Sequence, residues 1–257
     1  MISYTNRIAL TSILHKEVHR FMRIWVQTLV PPAITISLYF VIFGSLIGKR
    51  IGEMGGFDYM SFIVPGLIMM SVITNSYSNV ASSFFSAKWQ RNVEEMLVAP
   101  VPNWVIVAGY VGGGMARGML VGLIVTLISL FFVDIQIHNI WVIIFTVMLT
   151  SAVFALGGLI NAVFAGSFDD ISIIPTFVLT PLTYLGGVFY SLTLLPDFWQ
   201  GVSQINPIVY MVNAFRYGFL GVSDVSLTVA FSVIGVFVVV LYSVAMYLIS
   251  KGIGLRT

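Results

Sequence analysis

The sequence predicts an all-α protein threaded repeatedly through a membrane, and three observations carry that prediction. Apolar residues make up 58 % of the 257-residue chain and charged ones 9 %, against roughly 45–50 % and 25 % in soluble domains. Uncharged runs cover 24–48, 59–87, 135–168, 171–196 and 225–250, each exceeding the ~20 residues that cross about 30 Å of hydrocarbon. The basic residues, finally, sort mostly to one side of the resulting thread. A net charge of +2 is too small and too scattered for nucleic-acid binding. Without cysteine there is no disulfide framework, thiol nucleophile or thiolate metal site. No cleavable signal is expected either, because Arg7, Lys16, Glu17, Arg20 and Arg23 interrupt the first 23 residues.

Residues 1–23 form the first element, an amphipathic interface helix. Leu10, Leu14, Val18, Phe21, Met22 and Trp25 recur at helical spacing, while Lys16, Arg20 and Arg23 stripe another part of its surface. Such a helix lies among lipid headgroups, docks a cytoplasmic partner, or does both. Spans are expected at 24–48 and 59–85. In the second span, Ser71, Asn75, Ser78, Asn79 and Ser82 fall within an arc of roughly 100°.

Residues 86–100 connect the second and third spans and contain the densest charged stretch. Lys88, Trp89, Arg91, Val93, Glu94, Glu95, Met96 and Leu97 make a short amphipathic helix that Pro100 and Pro102 stop. Trp89, Val93, Met96 and Leu97 share its apolar face, and Arg91 with Glu95 is spaced as an i,i+4 pair. The helix either rests on lipid or is offered to a soluble partner.

The third span, 105–133, has Gly114, Gly118 and Gly122 at every fourth position, a pattern of close helix packing, and carries Arg117. Near the cytoplasmic end of its span Arg117 is expected to snorkel. The fourth span, 139–165, has Thr146, Thr150, Gly157 and Asn161 on one stripe, and the fifth, 171–190, has Thr176, Thr180 and Thr183. Stripes of this kind hydrogen-bond across helices or line a substrate path. Pro31, Pro32, Pro65, Pro175 and Pro181 mark helices that bend, so the second and fifth spans are candidates for a moving wall.

Between the fourth and fifth spans, Phe168, Asp169 and Asp170 form a small acidic loop, a possible second partner contact. Residues 191–221 are long enough to span, but the Asn206-Pro207 step breaks a helix there. Two short helices are expected instead, a re-entrant hairpin that dips into the membrane without crossing. The sixth span, 226–250, has few polar residues and is expected to face lipid.

Six spans place both termini on one side. Nine basic residues fall there (Arg7, Lys16, Arg20, Arg23, Lys88, Arg91, Arg117, Lys251, Arg256) against Lys49, Arg50 and Arg216 opposite, so both ends are expected to be cytoplasmic. Near-matches to catalytic motifs fail. Residues 44–50 lack the glycine and the Ser/Thr of a phosphate-binding loop, and His15 and His19 flank a glutamate one place too late for a metalloprotease. No metal site is expected. Every carboxylate maps to a loop or helix end, which disfavours an ion-coupled carrier; a carrier or channel independent of ATP remains the alternative.

The residues also carry a family likeness. The chain resembles the membrane subunit of ABC-2-type transporters over nearly its whole length, as a single transmembrane domain. Lys16-Glu17 through Arg23, the 59–66 stretch with Val64-Pro65-Gly66, and Glu94 through Pro102 resemble the family's interface helix, second span and coupling helix. Gly186 to Tyr190, Leu195-Pro196, Asn206 to Tyr210 and Phe215 to Gly218 are similar to its extracytoplasmic signature, with Val209 where many members have Thr.

That resemblance implies a bacterial inner-membrane permease, not itself an enzyme, that exports a lipid, polysaccharide or hydrophobic drug. It implies two copies of this chain, two copies of an ATP-binding subunit that hold the ATP and Mg, and no cofactor on this chain. Lys16, Glu17, Arg20, the 88–97 residues named above, Phe168, Asp169 and Asp170 would meet the ATPase. Leu195, Pro196, Asn206, Pro207, Tyr210 and Arg216 would form a periplasmic gate.

Overall fold

The computed structural model describes residues 4–255, with the side chains of residues 45–47 and 49 left aside. Arg256 and part of the 44–50 near-match therefore lie outside the described residues. Helix α1 (Tyr4–Arg23) is followed by α2 (Trp25–Tyr39), which passes into a π-helical stretch at Phe40–Gly48 and a single turn, α3 (Lys49–Ile51). A two-residue hairpin, β1 (Glu53–Met54) against β2 (Phe57–Asp58), reverses the chain through Gly55 and Gly56 at φ +62° and +81°. A two-residue turn with both φ values positive favours glycine. Asp58 then caps α4 (Tyr59–Trp89), its carboxylate accepting from the Met60 N–H at 3.1 Å.

The remaining helices are α5 (Asn92–Val98), α6 (Asn103–Ser129), α7 (Ile140–Phe164), α8 (Asp170–Ile174), α9 (Thr180–Tyr184), α10 (Asp197–Ile205), α11 (Pro207–Leu220) and α12 (Leu227–Lys251). Asn139 starts α7 by accepting from the backbone N–H groups of Trp141 and Val142, and Asn206 starts α11 by accepting from that of Ile208. The predicted break at Asn206-Pro207 is therefore where the chain changes helix.

Among the described residues, five segments are long and apolar enough to cross a membrane: Trp25–Gly44, α4, α6, α7 and α12. The predicted fifth span differs from these. Over 170–184 the helix comes in three five-residue pieces, with a π-helical turn at Pro175–Leu179 between α8 and α9. Prolines 175 and 181 account for this. Each removes an N–H, and the Thr180 hydroxyl and N–H both return to the Pro175 carbonyl. Gly187, at φ +72°, then turns the chain away, and the 186–188 turn packs into the bundle against Gly66 of α4.

Helix α4 is the axis of the bundle. It is the least apolar of the five long segments, yet 83 % of its apolar window is buried, against 17 % for the most apolar, α12. The inversion follows from solvent. Polar side chains must find protein partners when the surroundings are lipid, so the polar helix goes inside. The glycine line predicted to pack closely does so: Gly114, Gly118 and Gly122 lie against Val80, Ser76 and Val72 of α4. A second glycine face, Gly109, Gly112 and Gly113, beds α1 through Ile13, Leu14 and Glu17.

Candidate functional site

At one end of the bundle α4 ends at Trp89 and the chain turns through Arg91, held at φ +62°. The Lys88 ammonium donates to the carbonyls of Val163 (2.6 Å) and Ala165 (2.8 Å), satisfying the end of α7. Lys88 is thus committed inside the subunit. Beyond the turn, α5 directs Val93 inward at 2 % exposure, and Met96 and Leu97 pack on the same internal cluster.

The apolar face predicted for this helix is therefore divided. Of the four residues only Trp89 is exposed, at 63 %; Phe168 stands beside it at 52 %. The Phe168 ring meets Phe85 edge-on at 4.8 Å and lies 6.0 Å from Trp89. Arg91, which lines a groove with Trp89, is exposed, as are Glu95 and Asp169, while Glu94 is half-buried.

The Arg91–Glu95 pair does not form: among the described residues the one ion pair is Arg20–Glu17. Asp170 accepts from the N–H groups of Gly166 (2.9 Å) and Ser167 (3.0 Å). The Gly166 N–H and then Ser167 hold its carboxyl below the usual carboxylate range. It shapes the loop and leaves Asp169 outward.

A polar cluster lies between α1, α4 and α6. Glu17 is fully buried; its Oε1 accepts from the Ser83 hydroxyl at 2.6 Å, and Oε2 lies 3.5 Å from Arg20 Nε. Arg20 Nη2 donates to both the carbonyl (2.9 Å) and the side-chain oxygen (2.8 Å) of Asn79. The expectation that Glu17 faces a soluble partner is thereby corrected, as is the placing of every carboxylate at a loop or helix end, while Arg20 bonds inward and keeps 31 % exposure. Gly113 permits the approach that buries Glu17. Lys16 alone of the three stays exposed, its ammonium 5.6 Å from the Tyr110 ring centre. Glu17→Gln should lower stability by about 1 kcal/mol, the value of a charge-assisted bond discounted because Arg20 is 31 % exposed. Thermal unfolding in detergent would measure it; an unchanged midpoint would show the charge to be idle.

The serine–asparagine stripe of α4 is shared out. Arg117 does not snorkel; its Nη2 donates to Asn75 Oδ1 at 3.0 Å. Asn79 takes Arg20, Ser82 returns to the Asn79 carbonyl, and Ser71 returns to Leu67. A groove of about 300 Å³ between α2 and α4 is lined by Ser71, Asn75, Ser78 and Arg117, with Pro31, Pro32 and Met70 on its apolar sides. Thr176 and Thr180 are exposed on the broken helix, whereas Thr183 turns inward to the Leu179 carbonyl. The three threonines therefore do not form one stripe, and none lines this groove.

At the other end of the bundle, Asn206 Nδ2 donates to the Leu182 carbonyl at 2.6 Å, which ties α11 to α9. Arg216 is 1 % exposed; its Nη2 donates to the Gly187 carbonyl (2.6 Å) and its guanidinium stacks 3.9 Å from the Phe62 ring centre. It pins the early turn after α9. Tyr210 donates to the Gln204 carbonyl, Leu195 is half-buried and Pro196 is exposed.

Sequence reading missed Asp224, whose carboxylate takes the Ser191 hydroxyl (2.8 Å) and the Leu192 N–H (2.9 Å), while its own N–H donates to Asn213. No spacing signals such a link across 33 residues. Ser83 was missed too, although it lies four residues after Asn79. Asp224→Ala should free the 191–196 segment, read as at least tenfold faster limited proteolysis there. An unchanged rate would show that the surrounding apolar contacts hold it alone.

The profile described as ABC-2 type transporter matches residues 8–220. Over 251 residues the chain is 68 % identical to the inner membrane transport permease YadH of Escherichia coli strain K12, covering 97 % of this chain and 98 % of that one. It is 22 % identical over 215 residues to nodulation protein J of Rhizobium leguminosarum bv. viciae, 83 % of each chain. To the Rhizobium meliloti strain 1021 protein of the same name it is 24 % identical over 185 residues, covering 72 % of this chain and 71 % of that one.

Proposed function

The chain belongs to the ABC-2 type transporter family, and from that premise we propose that it is the membrane-spanning permease of an ATP-driven exporter. Two copies stand over two copies of a separate ATP-binding subunit, which holds the ATP and Mg. The cargo is a lipid, polysaccharide or hydrophobic drug-like molecule, moved outward across the inner membrane. The short helix over 170–184 counts as the fifth of six spans, α10 and α11 form a periplasmic hairpin, α1 is the interface helix, and both termini are cytoplasmic.

The observation that carries this reading is the corner built from the end of α4, α5 and the 165–170 loop. It exposes two neighbouring aromatic residues, Trp89 and Phe168, with Arg91 lining a groove beside Trp89 and Asp169 next to Phe168 in the chain. Such a patch suits an apolar anchor with a charged rim in a soluble partner. Its rigid continuity with α4 would carry motion into the bundle. Co-expression with an ATP-binding subunit of an ABC transporter tests the reading. Copurification in equal numbers, with ATP hydrolysis that depends on this chain, is expected; independent purification of the two chains would count against it. A reporter fused after Asp224 should read periplasmic.

One observation favours a second reading, an ATP-independent carrier. Glu17 is a buried carboxylate of the kind that couples protons to conformation. Its bonds to Ser83 and Arg20 instead tie the side chain to α4 and to its own helix. Transport abolished by ionophores and indifferent to ATP would restore the carrier.

A further inference from the structure

Arg117 sits near the middle of the 27-residue α6 and pairs with no carboxylate among the described residues. Its Nη2 is bound to Asn75, but Nε is buried without an acceptor, and a guanidinium offers five donors. Glu17 is taken by Ser83 and Arg20, and the charge of Arg20 falls on Arg117 as well. Two guanidiniums against one carboxylate leave a surplus positive charge inside the bundle. Asn75 is itself fixed, its Nδ2 donating to the Ser71 carbonyl at 3.0 Å, so Arg117 is held at the wall of the groove between α2 and α4. On α4 beside it the Ser78 side chain is half-buried and Met70 is apolar, and the α2 wall opposite sets Pro31 and Pro32 among Gln27, Thr35 and Tyr39.

We infer that this groove binds the oxyanion headgroup of an amphiphile, with the exported cargo an anionic lipid-like molecule. This rests on the export reading above. The guanidinium fork matches the oxygens of a phosphate, sulfate or carboxylate, Ser78 supplies a further donor, and hydrocarbon follows the proline-lined side. A headgroup there neutralises the charge that the protein leaves unpaired, which a neutral sugar or drug does not. A brace between α6 and α4 would need only the Asn75 bond, and a glutamine could make that without a charge.

The test separates charge from brace. Full-length protein in nanodiscs is titrated with phosphatidylglycerol and with phosphatidylcholine of the same acyl chains, read by native mass spectrometry. Wild type should prefer phosphatidylglycerol by at least tenfold, Arg117→Lys should keep most of that preference, and Arg117→Gln should lose it with an unchanged unfolding midpoint. Arg117→Gln with the wild-type preference would overturn the proposal. In proteoliposomes with the ATP-binding subunit, fluorescent phosphatidylglycerol should change leaflet with ATP at least fivefold faster than phosphatidylcholine. Arg117-dependent binding without ATP-driven movement would mark a resident lipid and overturn the cargo assignment. Failure of the subunit to bind would instead sink the export reading, while the titration would still decide the headgroup site.

Discussion

Gly158→Ala is expected to destabilise the subunit by about 2–3 kcal/mol, at the upper end of overpacking costs, and Gly158→Leu to prevent recovery of folded protein. A Cβ at Gly158 meets the Tyr77 carbonyl oxygen and comes within 3.2 Å of the Ala81 nitrogen. Both are backbone atoms of α4, so no rotamer change relieves the clash and α7 must move away. The displacement propagates, because α4 packs on α6 as well through Gly114, Gly118 and Gly122. In lipid, helix association depends on such close approach rather than on a hydrophobic drive. Its neighbour is the control: a Cβ at Gly157 meets only the Tyr77 ring, at 3.7 Å. Gly157→Ala should stay within about 0.5 kcal/mol of wild type, as surface-like substitutions do. Fluorescence-detected size exclusion after heating measures both. Equal midpoints for the two alanine variants would show that α4 and α7 are not held at this distance.

Several features of the architecture could be read from residues alone for a physical reason. Lipid forbids unpaired backbone and isolated charge, so long apolar runs and the Asn206-Pro207 break have few alternative structures. The glycine repeat of α6 was legible for the same reason, since only close packing exploits it. What stayed hidden was direction. An apolar face at helical spacing states that it is covered, not by what, and so Val93, Met96 and Leu97 could not be assigned between the subunit's own core and a partner. Glu17 was misplaced because its burial depends on Gly113, ninety-six residues away in sequence (113 − 17). The span over 170–184 was read as longer because composition counts apolar residues, whereas Pro175, Pro181 and Gly187 decide where the helix can continue.

The outward-facing pair at the corner sets the last expectation: Trp89→Ala with Phe168→Ala should release the ATP-binding subunit and leave the permease folded. Neither side chain is buried, at 63 % and 52 % exposure, so truncation removes little internal packing. Buried in a partner's groove, an aromatic anchor is worth about 2 kcal/mol or more, and losing both should weaken binding at least a hundredfold. Val93→Asp is expected to act differently. It places a carboxylate at a site 2 % exposed among apolar neighbours, at a cost of about 3–5 kcal/mol for an unpaired buried charge. The permease itself should then lose yield and thermal stability before any partner is involved. Glu95→Gln, at an exposed position on α5, should change partner affinity by under about 1 kcal/mol. Measuring copurified ATP-binding subunit beside the unfolding midpoint of each variant separates loss of surface from loss of fold. A stable Val93→Asp permease without its partner, beside a double alanine variant that keeps it, would mean that α5 turns over on docking and presents the Val93 face instead.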